Sequence, residues 1–184
     1  MGKGIRRGDV YGRGSVPGVV IRRAEGRDAA RLTRLVRGSG AYEGRYAAMV
    51  SGYRVGPDYI EAHRVFVAVE EDYPDIPNAE CGGTESGTGR VLGFYSLIAE
   101  PAELDLMFVA DEAQGYGIGR RLVEHMRGEA RRIGVESVRV VSHPPAEGFY
   151  RSMGARPSGT VRANPPAVMW DRPELTFPVG ERAE

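Results

Sequence analysis

The residues Gln114-Gly115-Tyr116-Gly117-Ile118-Gly119-Arg120 stand between an alternating apolar segment and a long stretch of helical periodicity. Three glycines there let the backbone approach a ligand closely with its N–H groups exposed, and the positive end of the following helix adds to their pull on an anion. This is chemistry suited to a pyrophosphate. The spacing Gly115-x-Gly117-x-Gly119 departs from the G-x-G-x-x-G of dinucleotide folds, and no lysine follows as a P-loop requires. Both nucleotide readings fall. Before the turn, strand-type alternation over Glu103–Val109 puts Leu104, Leu106 and Phe108 on one face and Glu103, Asp105, Met107 and Val109 on the other. Two carboxylates are therefore expected to share a face.

The elements that position these residues read as a strand and helix in alternation with a hairpin. Val19-Val20-Ile21 opens as a strand, and Ala29, Leu32, Leu35 and Val36 follow at helical spacing. Residues 41–64 carry Tyr42, Tyr46, Tyr53 and Tyr59 among short helices and loops broken at Gly56-Pro57. Val65–Val69 and Val91–Leu97 read as antiparallel strands, with a Gly-, Pro- and acid-rich segment, Glu70–Arg90, expected to be mobile between them. Leu122, Val123, Met126, Ala130 and Ile133 mark an amphipathic helix from Ile118 that Gly134 closes. Val138–Val141 is a buried-type strand, Ala146–Met153 a helix after Pro144-Pro145, and Val168–Trp170 and Leu175–Phe177 are the last strand candidates. The expected fold class is α/β (α+β): a mixed, mostly antiparallel sheet of six to seven strands flanked by four helices.

Composition bounds the partners. The chain of 184 residues suits one domain, taken as 19–184, preceded by a flexible Gly/Arg-rich arm over 1–18. Basic and acidic residues balance at 25 each, which argues against nucleic acid as partner. No apolar run approaches the roughly 20 residues of a membrane span, and the N-terminus lacks the apolar core of a secretory signal, so cytoplasmic residence is expected. Cys81 is the only cysteine, and His63, His125 and His143 lack ligand spacing, so no metal is expected. Lys3 is the one lysine among many arginines, a bias that fits a high-GC bacterial genome.

Gln114, Gly117 and Gly119, after a strand ending in Phe108-Val109, resemble motif A of the GNAT (GCN5-related) N-acetyltransferase superfamily, Gln/Arg-x-x-Gly-x-Gly/Ala. The segment Ala146–Ala155, with Phe149-Tyr150 and Gly154-Ala155, is similar to the family's second signature, and the resemblance spans Val19 to Arg156. It implies direct transfer of an acetyl group from acetyl-CoA to an amine. It also implies that Met107, Phe108 and Val109 hold the pantetheine and that Gln114, Gly115, Tyr116, Gly117, Ile118, Gly119 and Arg120 wrap the pyrophosphate. A strand N–H near Val109 would steady the oxyanion. Tyr150 occupies the position of the family's proposed acid, against the alternative of a core aromatic. Glu103, eleven residues before Gln114, matches the offset of a catalytic glutamate in the histone-acetyltransferase branch; Asp105 or water are alternatives, and so is a merely solvated Glu103. Where many relatives carry asparagine, this chain has His143, read either as its substitute or as a polar strand end.

Between Arg90 and Arg120 there is no basic residue, while Glu100, Glu103, Asp105, Asp111 and Glu112 all occur, which suggests an approach favourable to a cationic amine. The four tyrosines fall in the region that lines the acceptor side in the family. The expected partner is a small-molecule amine. A protein lysine or N-terminal amine is the alternative acceptor, and a non-catalytic acyl-CoA sensor or scaffold is the alternative of another class. Homodimerisation is a habit of the family.

Overall fold

The computed structural model describes residues 18–70 and 89–180. The arm assigned to 1–18 apart from Gly18, nearly all of the segment between 70 and 90, and Cys81 lie outside the described residues. Among the described residues there are seven strands: β1 (Val19–Arg23), β2 (Arg64–Glu70), β3 (Val91–Ile98), β4 (Glu103–Val109), β5 (Ser137–Val141), β6 (Arg156–Val161) and β7 (Arg172–Pro178). Helices α1 (Ala29–Arg37), α2 (Ala48–Ser51), α3 (Pro57–Ala62), α4 (Ile118–Arg132) and α5 (Glu147–Ser152) complete the α/β architecture. The strands form one sheet in the order β1-β2-β3-β4-β5-β7-β6, antiparallel throughout except between β4 and β5.

The sheet is apolar on both faces because β2 and β3 carry near-continuous hydrophobic runs. Val65, Val67, Val69 and Phe94 pack with Leu32, Val36, Val50 and Ile60 from α1, α2 and α3. Phe66, Ala68, Tyr95 and Leu97 pack on the other face with Leu122, Val123 and Met126 of α4, joined by Tyr150 and Phe177. α4 lies against β3 at Gly93. A methyl group there would sit 2.8 Å from the Phe108 carbonyl oxygen and 3.2 Å from Leu122 Cδ1, so only glycine admits the helix at this depth.

β4 departs from the simple alternation. Ser96 pairs with Leu106 and Leu97 with Leu104, which leaves Asp105 as the extra residue of a β-bulge. Leu104 consequently joins the α4 face, whereas Leu106 and Phe108 join the α1 face. The expectation that Leu104, Leu106 and Phe108 share a face is therefore corrected. Alternation in sequence cannot reveal a bulge.

β4 and β5 share a single register position, Glu103 opposite Arg139, with Arg139 N–H donating to the Ala102 carbonyl at 3.0 Å. Arg139 pins this end. Its guanidinium reaches Glu103 at 2.7 Å and Glu174 of β7 at 2.9 Å. Beyond it the strands separate, consistent with the added bend and twist that a bulge gives β4. Two tail expectations also change. Val168–Trp170 is not a strand, since Val168 makes only an isolated bridge to Asn164, and β6 appears at Arg156–Val161 instead. An exposed edge strand containing Pro157 and Gly159 has neither apolar alternation nor β propensity to announce it.

Substituting Gly93→Ala should lower the unfolding free energy by about 1–3 kcal/mol, because the adjacent strand backbone and α4 must shift to admit the methyl. Urea unfolding followed by circular dichroism reads this directly, and an unchanged midpoint would contradict the close approach.

Candidate functional site

The separation of β4 and β5 opens a cavity of about 760 Å³ between them. Met107, Phe108 and Val109 form one wall, Val140, Val141 and His143 another, and Tyr150 of α5 borders the space between. Every residue from Gln114 to Arg120 borders it except Tyr116, which packs against the core instead. The glycines of this turn act differently. Gly115 and Gly117 adopt φ of 82° and 81°, the left-handed region that side chains resist, and Gly117 is the residue from which α4 starts. Gly119 has ordinary helical geometry, but a methyl there would lie 3.1 Å from Phe149 Cζ. It therefore lets the half-exposed Phe149 ring close over the first turn of α4.

Hydrogen bonds brace the loop. Gln114 Nε2 donates to Asp111 Oδ1 at 3.0 Å and to the Val109 carbonyl at 3.3 Å, while Asp111 accepts the Gly40 N–H at 3.0 Å. The loop is thus tied to the segment after α1. Asp111 and Glu112 are used in this way and in an ion pair with Arg90, respectively. The acidic run from 100 to 112 therefore does not converge as a lining: Asp105 is its sole member on the cavity wall.

Tyr150 is buried, at 8 % exposure, and its ring contacts Phe149 and Phe177. Its hydroxyl makes no hydrogen bond to any described residue, and burial holds its pKa well above that of a free phenol. It remains protonated at neutral pH, a donor with no acceptor among the described residues. Glu103 sits at the closed end of the strand pair. Its carboxylate is occupied by Arg139 and it does not border the cavity. Asp105, displaced by the bulge, does border it.

Asp105 accepts a short hydrogen bond from the Tyr59 hydroxyl. A phenol has one proton, which the carboxylate takes, so the 2.8 Å contact between Tyr59 and buried Ser96 is donated by the serine. Burial, reinforced by Asp105, raises the Tyr53 phenol to about 12. Tyr42 and Tyr53 line the cavity as the sequence suggested, whereas Tyr59 orients Asp105 and Tyr46 packs edge-on against His143 and Trp170. His143 is buried in this aromatic group, with Tyr42 stacked on it at 4.2 Å.

His143 Nε2 lies 2.7 Å from the Ala41 carbonyl, which only accepts, so Nε2 carries the ring proton. Burial lowers its pKa below 6.5 against the opposing effect of that bond. Nδ1 is left buried with no partner among the described residues. Arg172, at the start of β7, also borders the cavity. It was not singled out in sequence, because it belongs to no motif and reaches the site only through the adjacency of β7 and β5. Ser96 of β3 belongs to no motif either, and it meets the site through its 2.8 Å contact with Tyr59. Among the described residues no cluster of three or more metal-ligating side chains occurs, and no helix is long and apolar enough to cross a membrane.

The sheet with its parted parallel strands and glycine-started helix belongs to a fold that solved GNAT structures share. The family model described as an acetyltransferase (GNAT) domain matches residues 76–164. Solved structures share the fold. A GCN5-related N-acetyltransferase from Rhodopseudomonas palustris is similar over 86% of this chain and 94% of its own, with TM-score 0.67 and 15% identity. The ribosomal-protein-S18-alanine N-acetyltransferase from Escherichia coli is similar over 90% and 97%, with TM-score 0.58 and 18% identity. A GNAT family acetyltransferase from Elizabethkingia anophelis with acetyl-CoA bound is similar over 89% and 99%, with TM-score 0.58 and 15% identity. No curated protein matches the chain by sequence.

Nitrogen-15 NMR of the histidines should find His143 as the Nε2–H tautomer with a pKa below 6.5. Because the folded value is depressed, the unfolded chain protonates first, so this residue makes stability fall as pH drops through 6.5. An Nδ1–H tautomer, or a raised pKa, would contradict the geometry.

Proposed function

We propose that the protein is an acetyl-CoA-dependent N-acetyltransferase that acts on a small-molecule amine. The observation that carries this reading is the parted β4–β5 pair, with a glycine turn at one end of the cavity and a buried, unpartnered phenol on its wall. The cavity chemistry fits the donor. A strand edge without its neighbour offers backbone groups to an amide-bearing arm such as pantetheine. Left-handed Gly115 and Gly117 and the start of α4, with Arg120, suit a pyrophosphate. Acetyl-CoA bound to the Elizabethkingia anophelis fold neighbour supports the same assignment.

In this reading Met107, Phe108 and Val109 bind the pantetheine arm and Gln114–Arg120 the pyrophosphate, with Tyr116 contributing through loop packing. Acetyl-CoA supplies the activated thioester. Asp105, held by Tyr59, attracts the ammonium of the acceptor and takes one of its protons, and the neutral amine so formed attacks the acetyl carbon. Tyr150 gives its phenolic proton to the sulfur as the C–S bond breaks and is reprotonated by the second proton that the nitrogen sheds, so one C–N bond replaces one C–S bond and one proton is released in all, on Asp105. Glu103 is not proposed as the base, since its carboxylate is committed to Arg139 outside the cavity. We assign the whole of 19–184 to one catalytic domain.

The test is amine-dependent thiol release from acetyl-CoA. Tyr150→Phe should lower kcat by about 10²- to 10⁴-fold, the range of a general acid, with little change in the KM for acetyl-CoA. An unchanged kcat in a folded variant would remove Tyr150 from this role. Gly117→Glu places a side chain at φ 81° and a negative charge beside the pyrophosphate site, and should weaken acetyl-CoA binding at least about tenfold. Unaltered affinity would sink the loop assignment. Release with peptides but with no small amine would move the acceptor to the protein class, and binding without any release would favour the sensor.

A further inference from the structure

Among the residues bordering the cavity three carry a formal charge: Asp105, Arg120 and Arg172. Arg120 belongs to the turn assigned to pyrophosphate, which leaves one carboxylate and one guanidinium without a role for the latter. Arg172 lies beside the catalytic gap because β7 neighbours β5, and the Ser142 N–H donates to the Pro173 carbonyl at 2.8 Å next to His143. Its charge reaches Tyr42, where it opposes the upward effect of burial on that phenol.

What distinguishes Arg172 on the cavity wall is a buried guanidinium nitrogen without a partner among the described residues. Arg22, Arg90 and Arg139 are each paired with a carboxylate. Arg172 is half-buried, its Nε is fully buried without a hydrogen bond, and no acidic side chain among the described residues pairs with it. A guanidinium N–H removed from water and left unpaired is costly, and an anion supplied by a ligand offsets that cost. A planar carboxylate matches the guanidinium fork. Across the cavity Asp105 offers the opposite sign, and Met49, Val50 and Tyr53 provide an apolar surface on the same lining.

We propose that the acceptor is a zwitterion of the amino-acid class with an apolar side chain, its carboxylate taken by the unpaired Arg172 and its ammonium by Asp105. The inference rests on the acetyltransferase reading and narrows its acceptor. It also revises the expectation of a simple cationic amine, which would leave Arg172 facing a like charge.

Thiol release from acetyl-CoA should be measured with L-methionine, L-phenylalanine and L-leucine, with their decarboxylated amines and with their carboxamides. The acids are expected to exceed the matching amines and amides in kcat/KM by about 10- to 100-fold, as one charge-assisted hydrogen-bonded pair allows. In Arg172→Gln that ratio should fall toward one, chiefly through the KM of the acid, and Arg172→Lys should restore part of it. Thermal melting confirms that each variant is folded, and the wild-type ratio is informative alone. Amines or amides that match or outperform the acids, or a ratio that survives Arg172→Gln, would overturn the inference while leaving the acetyltransferase reading intact. No release with any acceptor would instead overturn that reading and this inference with it.

Discussion

The structure depends on how two parallel strands part company. Parallel pairing in a single sheet normally continues along both strands, each satisfying the other's backbone groups. Here β4 and β5 meet only at Glu103 and Arg139, and the bulge at Asp105 bends β4 immediately afterwards. The gap survives because it is held from both sides. Antiparallel pairing fastens β4 to β3 and β5 to β7, and Arg139 clasps Glu103 and Glu174 where the strands still touch. The cavity is a product of that arrangement, and so are the open strand edge and the reach of β7 toward the site.

Close packing then brings the glycine turn to the mouth of the gap. Gly93 lets α4 settle on the sheet, Gly119 admits the Phe149 ring, and Gly115 and Gly117 carry the backbone conformation that aims the first turn of α4. Three kinds of glycine use thus serve one site: depth of packing, contact with an aromatic ring, and a left-handed φ. Charges are similarly divided. Most carboxylates near β4 are consumed in bracing the scaffold, which leaves Asp105 and Arg172 as the opposed pair beyond the glycine turn.

Legibility in the sequence followed the reach of each signal. The glycine turn, α4 with its apolar stripe, the buried strands β2 and β3, and the fold class were readable because local periodicity and turn chemistry determine them. The bulge was not, since Leu104 and Leu106 look equivalent in an alternating string and only the pairing with Ser96 and Leu97 separates them. Glu103 looked available for the same reason: its partner Arg139 is 36 residues distant. β6 carries no such signal, being an exposed edge that contains proline and glycine. Arg172 enters the site through strand adjacency and Ser96 through its contact with Tyr59, and no spacing rule connects them to Asp105 or Tyr59.

The central claim, that the parted strands and glycine turn form an acetyl-CoA site, is tested most directly by calorimetric titration of the purified protein with acetyl-CoA, using NAD and ATP as controls. Saturable binding of acetyl-CoA at one site per chain, without comparable binding of either control, is the predicted result. Absence of acetyl-CoA binding, or equal binding of NAD or ATP, would contradict it.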